Sequence, residues 1–477
     1  MVDVKTVPLS RSSSVRMSTN DSKCFPDENL SVASGSASAA SASNQTPRTH
    51  NNQQSLQQSS SMSQYSGISG ITDYSAGGTP RKLSPLGIVV KKCSRELQAV
   101  PPLSEKRSLL ILQSLLNVLE TKATSVMPDH PLMSQADKDA ASVLSHRKQS
   151  KLIAIDSGAL PAITSVMKTY KDSAKLQSKA VLLLGTLGED YPEQLANSHG
   201  AGYILAVLCH SKHCKSESLC YDACSSLAKI CGCEDDFDEL CPLSLPNQRN
   251  LSQVAHGDGI KTLQKVMKIH LKHHGIQQRA IQILCSIATN EEDDEKYLQQ
   301  ILEDPDLIET LVAVMNKHKK LKTVQHIGNT LIYLLATKGS QRTKSSLVWS
   351  HAVSAVLKAM SMNTLVPTVQ LEACEALYAM AMERPEARST ISEEGSVLIL
   401  DAMKAHPNHS PIQHSACQLL AILCEHPTTS KYIASAIDKQ PNYRSVLSWA
   451  QAGHKEHSDC TILVSKILNA YDNHTQD

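Results

Sequence analysis

The stretch VQLEACEALYAM, Val369 to Met380, decides the fold of this chain, because its pattern is written four more times. LQSKAVLLLGTL (176–187), IQQRAIQILCSI (276–287), VQHIGNTLIYLL (324–335) and IQHSACQLLAIL (412–423) share it. In each, an apolar residue and a Gln are followed three positions after the Gln by a small residue: Ala180, Ala280, Gly328, Ala373 or Ala416. Apolar residues stand four and seven positions beyond it, as Leu184/Leu187, Leu284/Ile287, Ile332/Leu335, Leu377/Met380 and Leu420/Leu423. That spacing places one apolar face on a helix, with a small residue where a neighbour must come close. A Met precedes each small residue by 13 positions: Met167, Met267, Met315, Met360 and Met403. Two looser copies carry Leu208 with Ala223 and Leu447 with Cys460.

Along the Met column, Leu208 and Leu447 included, successive copies are 41, 59, 48, 45, 43 and 44 residues apart. Tetratricopeptide and ankyrin repeats have shorter periods, so this spacing predicts an all-α protein, a right-handed α-solenoid of about seven repeats over 151–475. In such an array each repeat touches only its neighbours, which lets 477 residues form one structure without one large globular core. Only two Phe and two Trp occur, so the core must be built from Leu, Ile, Ala, Met, Val and Cys.

Residues 1–80 contain 20 Ser together with Gln and Asn runs, and too few apolar groups to offset the entropy of ordering a backbone. Residues 1–85 therefore read as a disordered tail. Thr46-Pro47, Thr79-Pro80 and Ser84-Pro85 fit proline-directed phosphorylation or simply a solvated tail. Residues 86–150 read as a linker and a degenerate helical cap over the first repeat. The basic residues of 81–107 suggest a solvated hinge, Ser104 can cap a helix through Leu109 to Leu119, and a second helix is expected near 134–150. Net charge is +1, no stretch approaches a membrane span, and the N-terminus lacks an apolar signal core. The expectation is a cytoplasmic protein, with the nucleus also open to it, whose 14 cysteines are reduced thiols.

Each clear copy reads as a short helix, a Gly turn (Gly158, Gly200, Gly259 or Gly395), a second helix carrying the Met, and a third carrying the Gln-x-x-Ala pattern. This resembles the armadillo repeat over about residues 150–470, and the Gly turn distinguishes it from the HEAT repeat. The Met-Lys-x-His runs at Met267 and Met403 loosely resemble armadillo domains attached to leucine-rich-repeat kinases. The resemblance implies a groove lined by third helices. Importin-like members grip extended basic peptides there with a Trp two residues after the small residue and an Asn six after it. Here those columns hold neither Trp nor Asn. The mid-groove residues Gln282, Ser286, Thr330, Leu334, Glu375 and Ala379 are the candidate partner-binding positions, expected to face solvent and to take a helix or a domain of another protein.

Seven cysteines crowd 209–241, but Cys231-Gly232-Cys233 is too tight for a zinc knuckle and no second Cys-x-x-Cys follows. Most read as small apolar residues; a zinc or redox site is the alternative. The long insertion after Cys233, with its acidic Glu234 to Glu239, is a second candidate for partner contact. Lys261, Lys265, Lys268 and Lys272, followed by Lys317, Lys319, Lys320 and Lys322, could form a basic patch for nucleic acid or a membrane surface; aromatic stacking residues are absent, and a solvated face is the expected reading. The many His residues read as ordinary loop polar groups. No phosphate-binding loop, His-Glu-x-x-His or nucleophile elbow occurs. The chain therefore reads as a non-enzymatic scaffold for protein partners, with no cofactor, metal or small-molecule substrate assigned.

Overall fold

A computed structural model describes residues 85–99, 103–120, 147–233, 247–256, 258–289, 295–440, 442–453 and 459–476. The Ser-rich tail, the acidic stretch 234–239, Cys241 and most of 134–150 lie outside them. Every described element is helical, and no helix among the described residues is long and apolar enough to cross a membrane.

Two helices come first, α1 (Pro85–Leu97) and α2 (Glu105–Glu120). The basic segment read as a hinge is thus largely α1, whose Val90, Ser94 and Leu97 are buried against α2 and the first repeat. Helices then come in threes. The first group is α3 (147–156), α4 (Ala159–Thr169) and α5 (Ala174–Asp190). It is followed by α6 (Pro192–Asn197), α7 (Gly200–Cys209) and α8 (Glu217–Ile230), then by α9 (Gln248–Ala255), α10 (Gly259–Ile269) and α11 (His274–Thr289). Next come α12 (Glu295–Leu302), α13 (Pro305–Lys317) and α14 (Lys322–Lys338), and α15 (Gln341–Trp349), α16 (Ala352–Met362) and α17 (Pro367–Glu383). In the following group the first two helices are fused as α18 (Pro385–Ala405) before α19 (Ser410–Leu423), and α20 (Pro427–Lys439), α21 (Asn442–Gly453) and α22 (Cys460–Gln476) end the chain.

The third helices stack in series, α2 on α5, α5 on α8, and so on through α11, α14, α17 and α19 to α22. Second helices form a parallel row from α4 to α18. Starts are set locally: Ser173, Asn247, Asp304 and Ser340 accept backbone N–H bonds as caps, and Pro stands in the first turn of α1, α4, α6, α13, α17, α18, α19 and α20. The small residues Ala180, Ala280, Ala373 and Ala416 are wholly buried, as are the five Met. A leucine at Ala373 should overpack the layer and destabilise the protein by about 1–3 kcal/mol; an unchanged thermal midpoint for Ala373→Leu would show that this column is not the helix contact.

The Gly turn needs correcting. Of the four glycines, only Gly158 takes the left-handed conformation, at φ 78°. At the next two turns that backbone is carried by His199 and Asp258, one residue earlier, and in the α15–α16 turn by His351. Gly200 and Gly259 instead open their helices, where a Cβ would lie 2.4 Å from Leu195 Cδ1 and 1.8 Å from the Val254 carbonyl oxygen. Close approach, not positive φ, is what requires glycine there. Gly395 lies inside the unbroken α18.

The repeated Gln has a structural task. All five are buried, and each donates from Nε2 to two carbonyls at the end of the preceding helix, at 2.7–3.0 Å. One acceptor is always the carbonyl of the regularly spaced Met, ten residues back; the other lies seven back, at Tyr170, His270, His318, Asn363 or His406. Helix C-termini leave carbonyls without intrahelical partners, and the Gln amide satisfies two of them while tying the second helix to the third.

Those same C-terminal residues reach the other way. His270, His318 and His406 direct Nε2 at the carbonyls of Cys214, Leu271 and Thr364 in the preceding repeat, at 2.8–2.9 Å. His213 bonds the Lys171 carbonyl, Asn363 Nδ2 donates to Lys319, and the Tyr170 hydroxyl donates to Leu103. A carbonyl can only accept, so each ring carries its proton on Nε2. These His residues are inter-repeat ties, not ordinary loop groups.

Candidate docking face

At about 100° per residue, positions −2, +2, +5 and +9 from the small residue fall within about 60° of arc on the side opposite it, whereas +6 lies about 70° from the centre of that arc. The outward stripe of a third helix is therefore −2, +2, +5 and +9. On α14 these are His326, Thr330, Tyr333 and Thr337; on α17 they are Leu371, Glu375, Tyr378 and Met382. None of the eight is in the buried class, and Met382 is 50% exposed. The +6 residues turn toward the neighbouring third helix.

The six candidate positions divide accordingly. Thr330 and Glu375 lie on the stripe, half-buried. Leu334 and Ala379, both +6 residues, are buried in the helix stack, contrary to the expectation that they face solvent. Gln282 is also buried, and its Oε1 accepts from Arg279 at 3.2 Å. Ser286 is half-buried, with its hydroxyl 3.2 Å from the Cys233 thiol of the preceding repeat. Tyr333, Tyr378, Leu371 and Met382 were missed by the sequence reading. Their signal was present in the two aromatics at the same +5 position of adjacent repeats.

Two carboxylates sit between α14, α17 and α19. Glu372 accepts a hydrogen bond from the Thr330 hydroxyl at 3.0 Å. Burial, then the charge of Glu375, push its carboxyl up to about 7. Burial also raises Glu375, with a hydrogen bond from Ser415 opposing it. Burial lowers the His326 imidazole, favouring its neutral form. The centre of the face is thus apolar and aromatic with partly desolvated acids.

The cysteines of α7 and α8 do not converge. Cys220, Cys224 and Cys231 are buried at helical spacing; the Cys209 thiol lies 3.1 Å from the Thr262 hydroxyl, and the Cys214 thiol donates to the Ser211 carbonyl. Burial pushes the thiols of Cys220 and Cys285 up to about 12 and that of Cys233 to about 11, which leaves them protonated at neutral pH. Among the described residues, no three His, Cys, Asp or Glu side chains group as metal ligands. Lys261, Lys265 and Lys268 lie on α10 and Lys317 ends α13, whereas Lys272, Lys319 and Lys320 lie in the loops that follow and Lys322 opens α14. Lys268 there is paired with Asp306 at 2.7 Å, which partly neutralises the patch.

No family model and no curated protein matches the chain. Among 37 matching solved chains, an engineered protein aligns at TM-score 0.43 and 14% identity, covering 62% of this chain and 97% of its own. A structure from work on a conserved phosphorylation switch controlling the interaction between cadherin and beta-catenin aligns at 0.48 and 15%, over 80% of this chain and 78% of its own. At those scores neither likeness carries an argument, and the fold stands on the helical packing described above.

Proposed function

We propose that this chain is a non-enzymatic, intracellular scaffold that docks another protein on its third-helix stripe. Its architecture on this reading is an armadillo-type solenoid of about seven repeats, preceded by a tail open to phosphorylation. The observation that carries the proposal is the aliphatic and aromatic row of half-buried Leu371 and Tyr378 and exposed Met382, beside half-buried Tyr333, in register on adjacent helices and bordered by Glu375. Apolar and aromatic side chains held on a rigid surface are what concentrates binding energy at the centre of an interface. Gln278, Cys285 and Thr289 on α11, and His414 and Gln418 on α19 with Glu425 just beyond its end, extend the stripe on either side.

The test is affinity capture with the full chain, comparing wild type with a Tyr378→Ala, Met382→Ser variant by quantitative mass spectrometry. Specific partners should fall at least about tenfold in the variant, equivalent to about 1.4 kcal/mol, while the thermal midpoint stays close to wild type. Undiminished capture by a folded variant would place the docking surface elsewhere.

A further inference from the structure

We infer that the N-terminal end of the third-helix face takes an acidic polypeptide segment that carries an aliphatic side chain. This rests on the docking reading above and names the chemistry of a partner at one end of the surface. The outward sides of α2, α5 and α8 border an open surface cavity of about 550 Å³. Its apolar lining includes Leu109 and Leu110, the latter 57% exposed, together with the buried Leu219. Its charged lining is Lys106, Lys175 and Lys179.

These three lysines have no ion-pair partner among the described residues. The nearby carboxylates are engaged by hydroxyls: Glu105 accepts from Ser173 at 2.5 Å, and Asp222 accepts from Ser178 at 2.7 Å. Those hydrogen bonds leave both carboxylates charged, but neither lines the cavity, whose charged lining is lysine alone around an aliphatic floor. A cavity that is mostly apolar, with a few convergent polar groups, is the usual form of a binding site. Carboxylates on a partner would complement the lysines, and a Leu or Ile between them would cover Leu110. An aliphatic floor offers no platform for stacked bases, which argues for a peptide over single-stranded nucleic acid. The charge also grades along the face, from these lysines to Glu372 and Glu375 at α17, so a segment laid across it would be oriented with its acidic part toward α2.

The experiment titrates the full chain against a short fluorescein-labelled peptide of Glu and Ser with one central Leu, read by fluorescence anisotropy. We expect saturable binding that weakens as salt rises. Reversal of the three lysines (Lys106→Glu, Lys175→Glu, Lys179→Glu) should weaken it at least about tenfold. Leu110→Ser, and separately a Leu→Ser change in the peptide, should each weaken it about threefold or more. All four protein positions are partly or fully exposed, so folding of the variants is expected and is checked by circular dichroism. Absence of saturable binding would overturn the inference, as would equal binding by the folded triple variant. Equal affinity for the Leu-free peptide would also overturn it, by reducing the interaction to bulk charge. So would stronger capture of phosphatidylserine vesicles or polyuridylate than of the peptide through the same lysines. If the peptide fails while the Tyr378/Met382 variant still loses its partners, the docking reading stands and this assignment falls. If the peptide binds as expected while that variant keeps its partners, the acidic-segment site stands and the stripe is not the docking surface.

Discussion

Replacing both Glu189 and Asp190 with alanine should destabilise the first three-helix group by about 3–5 kcal/mol, because it strands a buried ammonium. Lys151 on α3 has a side chain only 1% exposed. Its Nζ donates to the Asp190 carboxylate and, at 3.3 Å, to Glu189, both at the C-terminus of α5. Two acids at a helix C-terminus oppose the helix dipole, so their removal returns about 0.3–1 kcal/mol each at exposed sites. That return is smaller than the penalty of an uncompensated buried charge, and the net sign is destabilising. The companion variant Lys151→Met should behave oppositely. It removes the buried charge, keeps the volume, and leaves two carboxylates that water can reach, so stability should be near neutral or higher. Urea unfolding followed by hydrogen exchange in α3–α5 separates the two. Equal midpoints for the double alanine variant and wild type would show that the Lys151 ammonium is solvated in solution.

Gln370→Met should destabilise the α16–α17 unit by about 1–3 kcal/mol, although the substitution is apolar and similar in size. The Gln370 amide donates to the Met360 and Asn363 carbonyls at 3.0 and 2.9 Å, and the residue is buried. Removal leaves the Met360 carbonyl with only the Asn363 N–H at 3.2 Å and the Asn363 carbonyl with only the Val366 N–H at 3.0 Å, so two hydrogen bonds are lost, each worth about 0.5–1.5 kcal/mol. Gln370→Glu sharpens the test. A carboxylate cannot donate, whereas a protonated carboxyl supplies one of the two bonds, so this variant should recover part of its stability as pH falls. Thermal unfolding at neutral and acidic pH reads both effects. A Gln370→Met midpoint equal to wild type would mean that the backbone N–H donors suffice for these carbonyls and the Gln column is not a latch.

The five Gln were visible in the sequence as a column but not as latches. Their acceptors are ten and seven residues back, across a helix end and a loop, and no periodicity argument reaches a backbone carbonyl beyond a turn. The His ties were still less legible. The reach of His406 to the Thr364 carbonyl spans 42 residues, and only stacked repeats bring them together. The candidate positions divide by burial: Thr330 and Glu375 lie on the outward stripe, whereas Leu334 and Ala379 fill the space between helices.

What the sequence by itself determined was the helical identity of the elements, the buried face of each third helix and the chain of repeats. Those follow from apolar spacing, and a repeat array needs only neighbour contacts, so local pattern suffices. What the tertiary structure decided was how far each third helix is turned about its own axis against the next. That angle places +5 outside and +6 inside. It depends on the volumes of side chains from two repeats meeting at once, as where Thr330 meets Glu372. The same packing decided which turns bear positive φ: His199, Asp258 and His351 carry it. At 200 and 259 the close approach of Leu195 and Val254 claims the glycine for its missing Cβ, so the turn falls to the residue before.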